Sequence, residues 1–388
     1  MVIFHTAKDE DIKEGRSTDI YFSRAKKVLV NEGIKKRVIV EITAGSLPNN
    51  YPWGILSGIE EVTKLLEGIN IDVYALPEGS IFQPFQPVLR LEGEYTLFAE
   101  LETAILGFIC QSSGISTKAA RFRKAAKEKY ILSFGIRRMH PSISPMIDRA
   151  AYIGGVDGFS GVAAQKLIGK KATGTMPHAF VLIVGDQIKA WKLYDKGIHK
   201  SIPRIALVDT LYDEKAESIM AAENVEGIFG VRLDTPESRR GNMNRIVEEV
   251  RWELDIRGYE NVKIFVSGGI DENNIPKLNK VWGFGIGTSI SNSKIIDFAM
   301  DIVEIEGKPI SKRGKLSGKK EVFRCISCLN FEISYNNEIT RCTSCKGRME
   351  NFLKPLIKEG KIVANLPKVE EIRNYVLKQL QQVNLDGL

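Results

Sequence analysis

Between Phe229 and Ile290 the chain repeats one pattern three times: a short apolar run of β type, stopped by polar or glycine residues. The runs are Phe229-Gly-Val-Arg-Leu-Asp234, Ile264-Phe-Val-Ser-Gly-Gly-Ile-Asp271 and Gly283-Phe-Gly-Ile-Gly-Thr288, with helical spacing between the first two. Few folds accept this cadence. It is that of a parallel β/α barrel, whose right-handed crossovers bring every strand end to one rim. Four similar units precede it, at residues 130–135, 156–160, 172–175 and 204–209, giving seven candidate strands. The expectation is that Arg137, His178, Asp209, Asp234, Gly268, Gly269 and Thr288 converge on one mouth, although they span about 150 positions of sequence.

The residue types at that mouth suit a phosphorylated sugar. Ser267-Gly-Gly and Gly287-Thr288 end two successive strands, and glycine lets backbone N–H groups approach an anion closely. Arg232 and Asp234 end a third strand with one cation and one carboxylate. Each residue also has a plainer reading. On that reading Asp209 and Asp234 cap the following helices, His178 after Pro177 is a structural hydrogen-bonder, and Ser-Gly-Gly is common in loops. The functional reading rests on their sharing a rim.

The flanks read differently. Residues 37–43, 73–79 and 88–95 have strand patterns, with a helix at 58–66, so the first part is an antiparallel sheet with a helix. A long helix follows over 98–126, which Gly114 and its neighbouring serines are expected to bend; Cys110 within it reads as packing. Beyond the barrel we expect a helix at 297–303, a returning strand over 301–310, a solvated lysine-rich loop at 311–320 and a last helix at 369–381. A net charge of +7 on 388 residues, 43% of them hydrophobic, tolerates anionic ligands without implying nucleic acid. Residues 1–16 are polar, and no apolar run is long enough to span a bilayer, so a cytoplasmic protein is expected, with no membrane partner.

Cys325-Ile-Ser-Cys328 and Cys342-Thr-Ser-Cys345, thirteen residues apart, are two knuckles suited to four thiolates around one tetrahedral metal. Zn²⁺ in a structural role is expected, with rubredoxin-like iron as the chemical rival.

Taken together, these motifs resemble nicotinate phosphoribosyltransferase, most closely the archaeal form with a C-terminal zinc knuckle. The likeness lies in Asp19-Ile-Tyr21, Glu102-Thr-Ala-Ile-Leu-Gly, Ser113-Gly-Ile-Ser-Thr-Lys-Ala-Ala-Arg121, Phe134-Gly-Ile-Arg-Arg138, Gly174-Thr175-Met-Pro-His178, Val231-Arg-Leu-Asp-Thr235, Ser267-Gly-Gly-Ile-Asp271 and Gly285-Ile-Gly-Thr-Ser289. It implies an α/β architecture of type II: a sandwich domain over 1–110 completed by about 300–323, an irregular β/α barrel over 111–299, and a zinc-knuckle module over 324–388. It implies conversion of nicotinate and 5-phosphoribosyl-1-pyrophosphate, carried with Mg²⁺, to nicotinate mononucleotide and pyrophosphate in NAD salvage. Tyr21 would stack on the pyridine ring from a neighbouring subunit of a homo-oligomer, at least a dimer, with Phe134 on the other face. Thr175 and Arg232 would hold nicotinate, and Arg137 its carboxylate or pyrophosphate. Asp209 and Asp234 would face the ribose hydroxyls or the Mg²⁺-bound pyrophosphate, and Gly268, Gly269, Gly287 and Thr288 would cradle the 5-phosphate. His178 matches the histidine phosphorylated in members that also consume ATP. The division of roles among Arg137, Arg138, Arg239 and Arg240 is left open. Quinolinate phosphoribosyltransferase is the enzymatic alternative, and a zinc-knuckle nucleic-acid binder using Lys312 to Lys320 the distant one.

Overall fold

The computed structural model describes residues 4–236, 238, 241–335 and 338–387; Arg239 and Arg240 lie outside them. The chain forms two compact units, Met1–Ala120 with Ile153–Gly155 and Lys294–Leu388, and Arg121–Tyr152 with Val156–Ser293.

The second unit is built on a six-stranded parallel sheet. Its order is Gly158–Phe159, Tyr130–Ser133, Gly283–Ile286, Lys263–Ser267, Gly230–Leu233 and Ile205–Leu207. Val266, Phe284, Ile286, Val231 and Leu233 are fully buried, as expected of a parallel sheet covered on both faces. Helices such as Glu214–Asn224 and Met243–Asp255 form the crossovers. Gly283 and Gly285 are there for space. A Cβ at Gly283 would come within 2.9 Å of the Phe265 ring, and one at Gly285 within 2.6 Å of the Phe134 ring. The strand thus gives up its own side chains to seat aromatic rings from both neighbours.

Among the described residues six strands are present where seven were expected. Residues 172–175 are irregular, joined to the edge strand by a backbone bond from Thr173 N–H to the Phe159 carbonyl at 2.8 Å. The segment follows Lys170-Lys171, contains Gly174 and runs into Pro177, so it has neither an apolar face nor a continuous row of donors. Among the described residues the two edge strands are not paired with each other, and the barrel is open.

The first unit carries a seven-stranded sheet, antiparallel at every pairing. Its order is Lys308–Pro309, Phe298–Ile305, Arg37–Ala44, Leu89–Glu94, Asp72–Ala75, Lys354–Lys358 and Lys361–Ile362. The expected helix at 297–303 is therefore a strand: Phe298–Ile305 pairs along Arg37–Ala44, and tertiary pairing overrides the local pattern. The sheet is completed by 298–309 and also by 354–362, deeper into the C-terminal segment than the sequence suggested. The long helix runs unbroken over Glu102–Ala126. Gly114 does not interrupt it; a Cβ there would lie 2.4 Å from the Lys294 carbonyl oxygen, so the glycine permits a close backbone approach.

The lysine-rich loop is not uniformly solvated. Lys312 and Lys315 pair with Asp301 at 2.7 and 2.8 Å, Lys319 with Glu92 at 2.9 Å, and Lys320, whose side chain is only 6% exposed, with Glu41 at 2.8 Å. These four lysines are each engaged with a carboxylate of their own unit. No helix among the described residues is long and apolar enough to cross a membrane.

Candidate active site

Several polar residues of the barrel mouth are held by neighbours from adjacent strand ends. Ser291 Oγ donates to the Gly135 carbonyl at 3.0 Å, and Ser289 Oγ to the Ile270 carbonyl at 2.9 Å. Ser267 Oγ donates to Asp234 Oδ1 at 2.7 Å, and the Asp234 N–H to Asp209 Oδ2 at 3.1 Å. This chain of bonds runs through the exits of 130–133, 283–286, 263–267, 230–233 and 205–207. His178, at the start of helix His178–Val184, joins it through Thr210, whose hydroxyl lies 3.1 Å from Nδ1.

The chemistry concentrates around Asp209 and Asp234. His178 Nε2 lies 3.5 Å from Asp234 Oδ2 and 3.9 Å from Asp209 Oδ1. Arg232 approaches Asp234 Oδ2 at 3.6 Å, donates to the Thr175 hydroxyl and stands 5.8 Å from the centre of the Phe134 ring. Neither aspartate is a helix cap. Asp213 and Asn242 accept from the first turns of the following helices instead, so Asp209 and Asp234 are left for the mouth. The Asp209 side chain is 3% exposed, and burial pushes its carboxyl up to about 6, with nearby His178 opposing the rise and Asp234 adding to it. Burial lowers the Arg232 pKa, but guanidinium starts so high that it stays a cation.

The two glycine turns are also in place. Gly268 and Gly269 have φ of +83° and +63°, a left-handed path that glycine takes without strain. Gly287 and Thr288 follow the adjacent strand, and the Ser289 to Ile270 bond ties the two turns together. Arg137 and Arg138 are exposed on the short turn Ile136–Arg138, with the Arg137 charge felt at Arg232. Tyr21 belongs to the first unit, at the start of helix Ile20–Asn31, and is 59% exposed.

Sequence reasoning missed Thr210, Thr235, Glu214 and Glu217. Thr235 Oγ1 shares its one proton between Glu214 and Asp209 Oδ2, the latter 3.3 Å away, and the fully buried Glu217 receives three successive backbone N–H groups at 210–212. Adjacency to Asp209 could have drawn attention to Thr210. Nothing in the pattern distinguishes Glu217 from an ordinary helix-surface glutamate.

In the first unit, Cys325, Cys328, Cys342 and Cys345 bring their sulfurs within 4.8 Å of one another, with closest pairs at 3.4 and 3.7 Å. The edge of a tetrahedron with metal–sulfur bonds of about 2.3 Å is about 3.8 Å, so the four thiols fit one metal ion. The Ser327 and Gly347 N–H groups each approach a sulfur at 3.4 Å, and a Cβ at Gly347 would crowd two of the sulfurs at 3.0 and 3.1 Å.

An open β/α barrel with this mouth and a separate antiparallel-sheet unit are the two parts of the type II phosphoribosyltransferase architecture. Residues 19–113 and 115–301 match the models for the N-terminal and C-terminal domains of quinolinate phosphoribosyl transferase, and residues 319–387 match that for the nicotinate phosphoribosyltransferase C-terminal domain. The crystal structure of nicotinate-nucleotide pyrophosphorylase from Pyrococcus furiosus is 55% identical, covering 98% of this chain and 99% of that one at a TM-score of 0.97. The chain belongs to the nicotinate phosphoribosyltransferase family. A nicotinate phosphoribosyltransferase of Mycobacterium tuberculosis is 30% identical over 290 residues, 71% of this chain, and the match spans 62% of that relative's length. Human nicotinic acid phosphoribosyltransferase shares the fold, with a TM-score of 0.76 at 20% identity over 95% of this chain and 94% of that one.

Proposed function

We propose that this protein transfers a phosphoribosyl group to nicotinate, forming nicotinate mononucleotide and pyrophosphate, within NAD salvage. The observation that carries the reading is the juxtaposition of Phe134, Thr175 and Arg232 with the Asp209–Asp234–His178 cluster. Phe134 offers a face for the pyridine ring. Arg232 and Thr175 offer a fork and a hydroxyl for its carboxylate, which a neutral amide would match less well. The glycine turns at 268–269 and 287–288 would take the 5-phosphate through backbone N–H groups.

The reaction asks little covalent chemistry of the protein. The pyridine nitrogen lone pair forms the bond to the anomeric carbon, and the carbon–oxygen bond to pyrophosphate breaks with its electron pair leaving on oxygen. No proton moves, so no general base is needed. Positive charge builds on the ribose ring, where Asp209 and Asp234 stabilise it. Mg²⁺ accompanying the substrate would neutralise pyrophosphate. The donor set fits it, because Asp209 Oδ1 accepts no hydrogen bond among the described residues.

Arg137 would reach the pyrophosphate or the nicotinate carboxylate, and Tyr21 would stack on the pyridine from a second subunit of a cytoplasmic homo-oligomer. Coupling to ATP belongs to the same reading: the His178 side chain is 38% exposed and meets both carboxylates, a setting that could take a phosphoryl group. The four cysteines would hold Zn²⁺, whose closed thiolate shell leaves no position for chemistry and stiffens the C-terminal segment.

The test is turnover with 5-phosphoribosyl-1-pyrophosphate, Mg²⁺ and, separately, nicotinate, nicotinamide or quinolinate, with products separated by chromatography. Nicotinate mononucleotide from nicotinate alone is the expected result. The same product from quinolinate, with carbon dioxide released, would replace this reading by the alternative. ADP formed in step with product would establish the ATP coupling.

A further inference from the structure

Glu217 is fully buried, yet its carboxylate touches no ligand-facing atom. It accepts from the Thr210 N–H at 3.1 Å, the Leu211 N–H at 2.7 Å and the Tyr212 N–H at 2.8 Å, and so fixes the path of the chain just after Asp209. Three donors on one carboxylate are a costly arrangement to leave incomplete, which makes this turn stiff. Its stiffness fixes Thr210, whose hydroxyl is 3.1 Å from His178 Nδ1. On the other side of the ring, Nε2 faces Asp234 and Asp209 at 3.5 and 3.9 Å, beyond a committed hydrogen bond to either.

We propose that Glu217 is a positioning residue that, through Thr210, commits His178 to the tautomer with its proton on Nε2. A hydroxyl serves as donor to a bare Nδ1, and two carboxylates favour a proton on the nitrogen that faces them. The ring then presents an N–H to the mouth, so in the resting protein His178 acts there as a donor to a ligand oxygen; phosphoryl transfer to Nε2 would require that proton to pass first to Asp234 or Asp209, the carboxylates that face it. The groups that face the ring are Asp209, Asp234 and Thr210, with Glu217 behind the turn and Arg232 beyond Asp234. The consequence for turnover rests on the proposed phosphoribosyl transfer; the tautomer itself does not.

The experiment uses the full-length protein with ¹⁵N-labelled imidazoles. The chain has four histidines, so the His178 signals are assigned by comparison with His178→Gln. The wild type should show a bare Nδ1 and a protonated Nε2. Thr210→Val should give a tautomer mixture and Thr210→Ser should restore the single form; Glu217→Gln should shift the ring in the same direction as Thr210→Val. In turnover, Thr210→Val should lower kcat by roughly tenfold, up to about a hundredfold, as small misplacements of a reacting group do, with KM for nicotinate within about twofold. A His178 ring unchanged in Thr210→Val, or protonated on Nδ1 in the wild type, overturns the inference. If the ring responds as expected while the wild type converts no nicotinate, the positioning role stands and the proposed reaction fails.

Discussion

Replacing Asp209 by asparagine should stabilise this protein at neutral pH while disabling it. The Asp209 carboxyl is raised from an ordinary value of 3.8 to about 6, chiefly by burial, and its side chain is 3% exposed. Below pH 4 the group is protonated in both folded and unfolded chains and contributes nothing. Between pH 4 and 6 the unfolded chain ionises while the folded one resists, so stability falls as pH rises. Above pH 6 the folded protein carries the full cost, about 3 kcal/mol for a rise of this size. Asparagine keeps an oxygen for the Asp234 N–H and removes the charge. At roughly 2 °C per kcal/mol, Asp209→Asn should melt about 6 °C above the wild type at pH 8, with the gap closing below pH 4. Melting curves of the unliganded proteins from pH 4 to 8 measure it, alongside kcat/KM, which should drop by at least about a hundredfold. A gap that stayed constant with pH, or a variant less stable at pH 8, would refute the assignment of a buried, strained carboxylate. Such a residue costs stability and is retained where function uses the charge.

Arg232→Lys should raise KM for nicotinate by about tenfold or more and narrow the preference over nicotinamide, because an ammonium cannot form the planar fork; a KM unchanged in steady-state kinetics would remove Arg232 from the pyridine site. Cys328→Ser should abolish stoichiometric zinc, read by metal analysis of the purified protein, and lower the melting temperature; retention of one zinc per chain would exclude the four-thiolate site. Lys320→Met should destabilise by about 3–5 kcal/mol because Glu41 is left charged and buried, and the double variant with Glu41→Gln should recover most of the loss in urea denaturation; no recovery would mean that the pair does not act as a unit.

The barrel was legible where a short apolar run ended on a glycine or an aspartate, because strand-end chemistry is local. It was illegible at 172–175, where a Thr-Gly-Thr run imitates a strand but has no apolar face to bury. Phe298–Ile305 failed in the opposite way: its partner, Arg37–Ala44, is distant in sequence, so only register with that strand reveals it. In the site, Arg232, Asp209 and Asp234 were readable as strand ends. Glu217 and Thr210 were not, since their importance lies in backbone donors that any sequence possesses. The buried Lys320 shows the same limit, because a lysine's burial depends on a distant glutamate.

The irregular segment that brings Thr175 and His178 to the mouth is attached to the edge strand through Thr173, without a ladder of backbone bonds. Its shape is therefore under weak constraint from the sheet. If this segment meets the acceptor as proposed, lineages of this fold can exchange the contacting group by rewriting a few residues of loop, with no strand to re-register and no core to repack. Evolutionary drift in acceptor preference should then be concentrated in this short stretch, while Arg232 and Asp234, fixed within and just beyond a central strand, stay put.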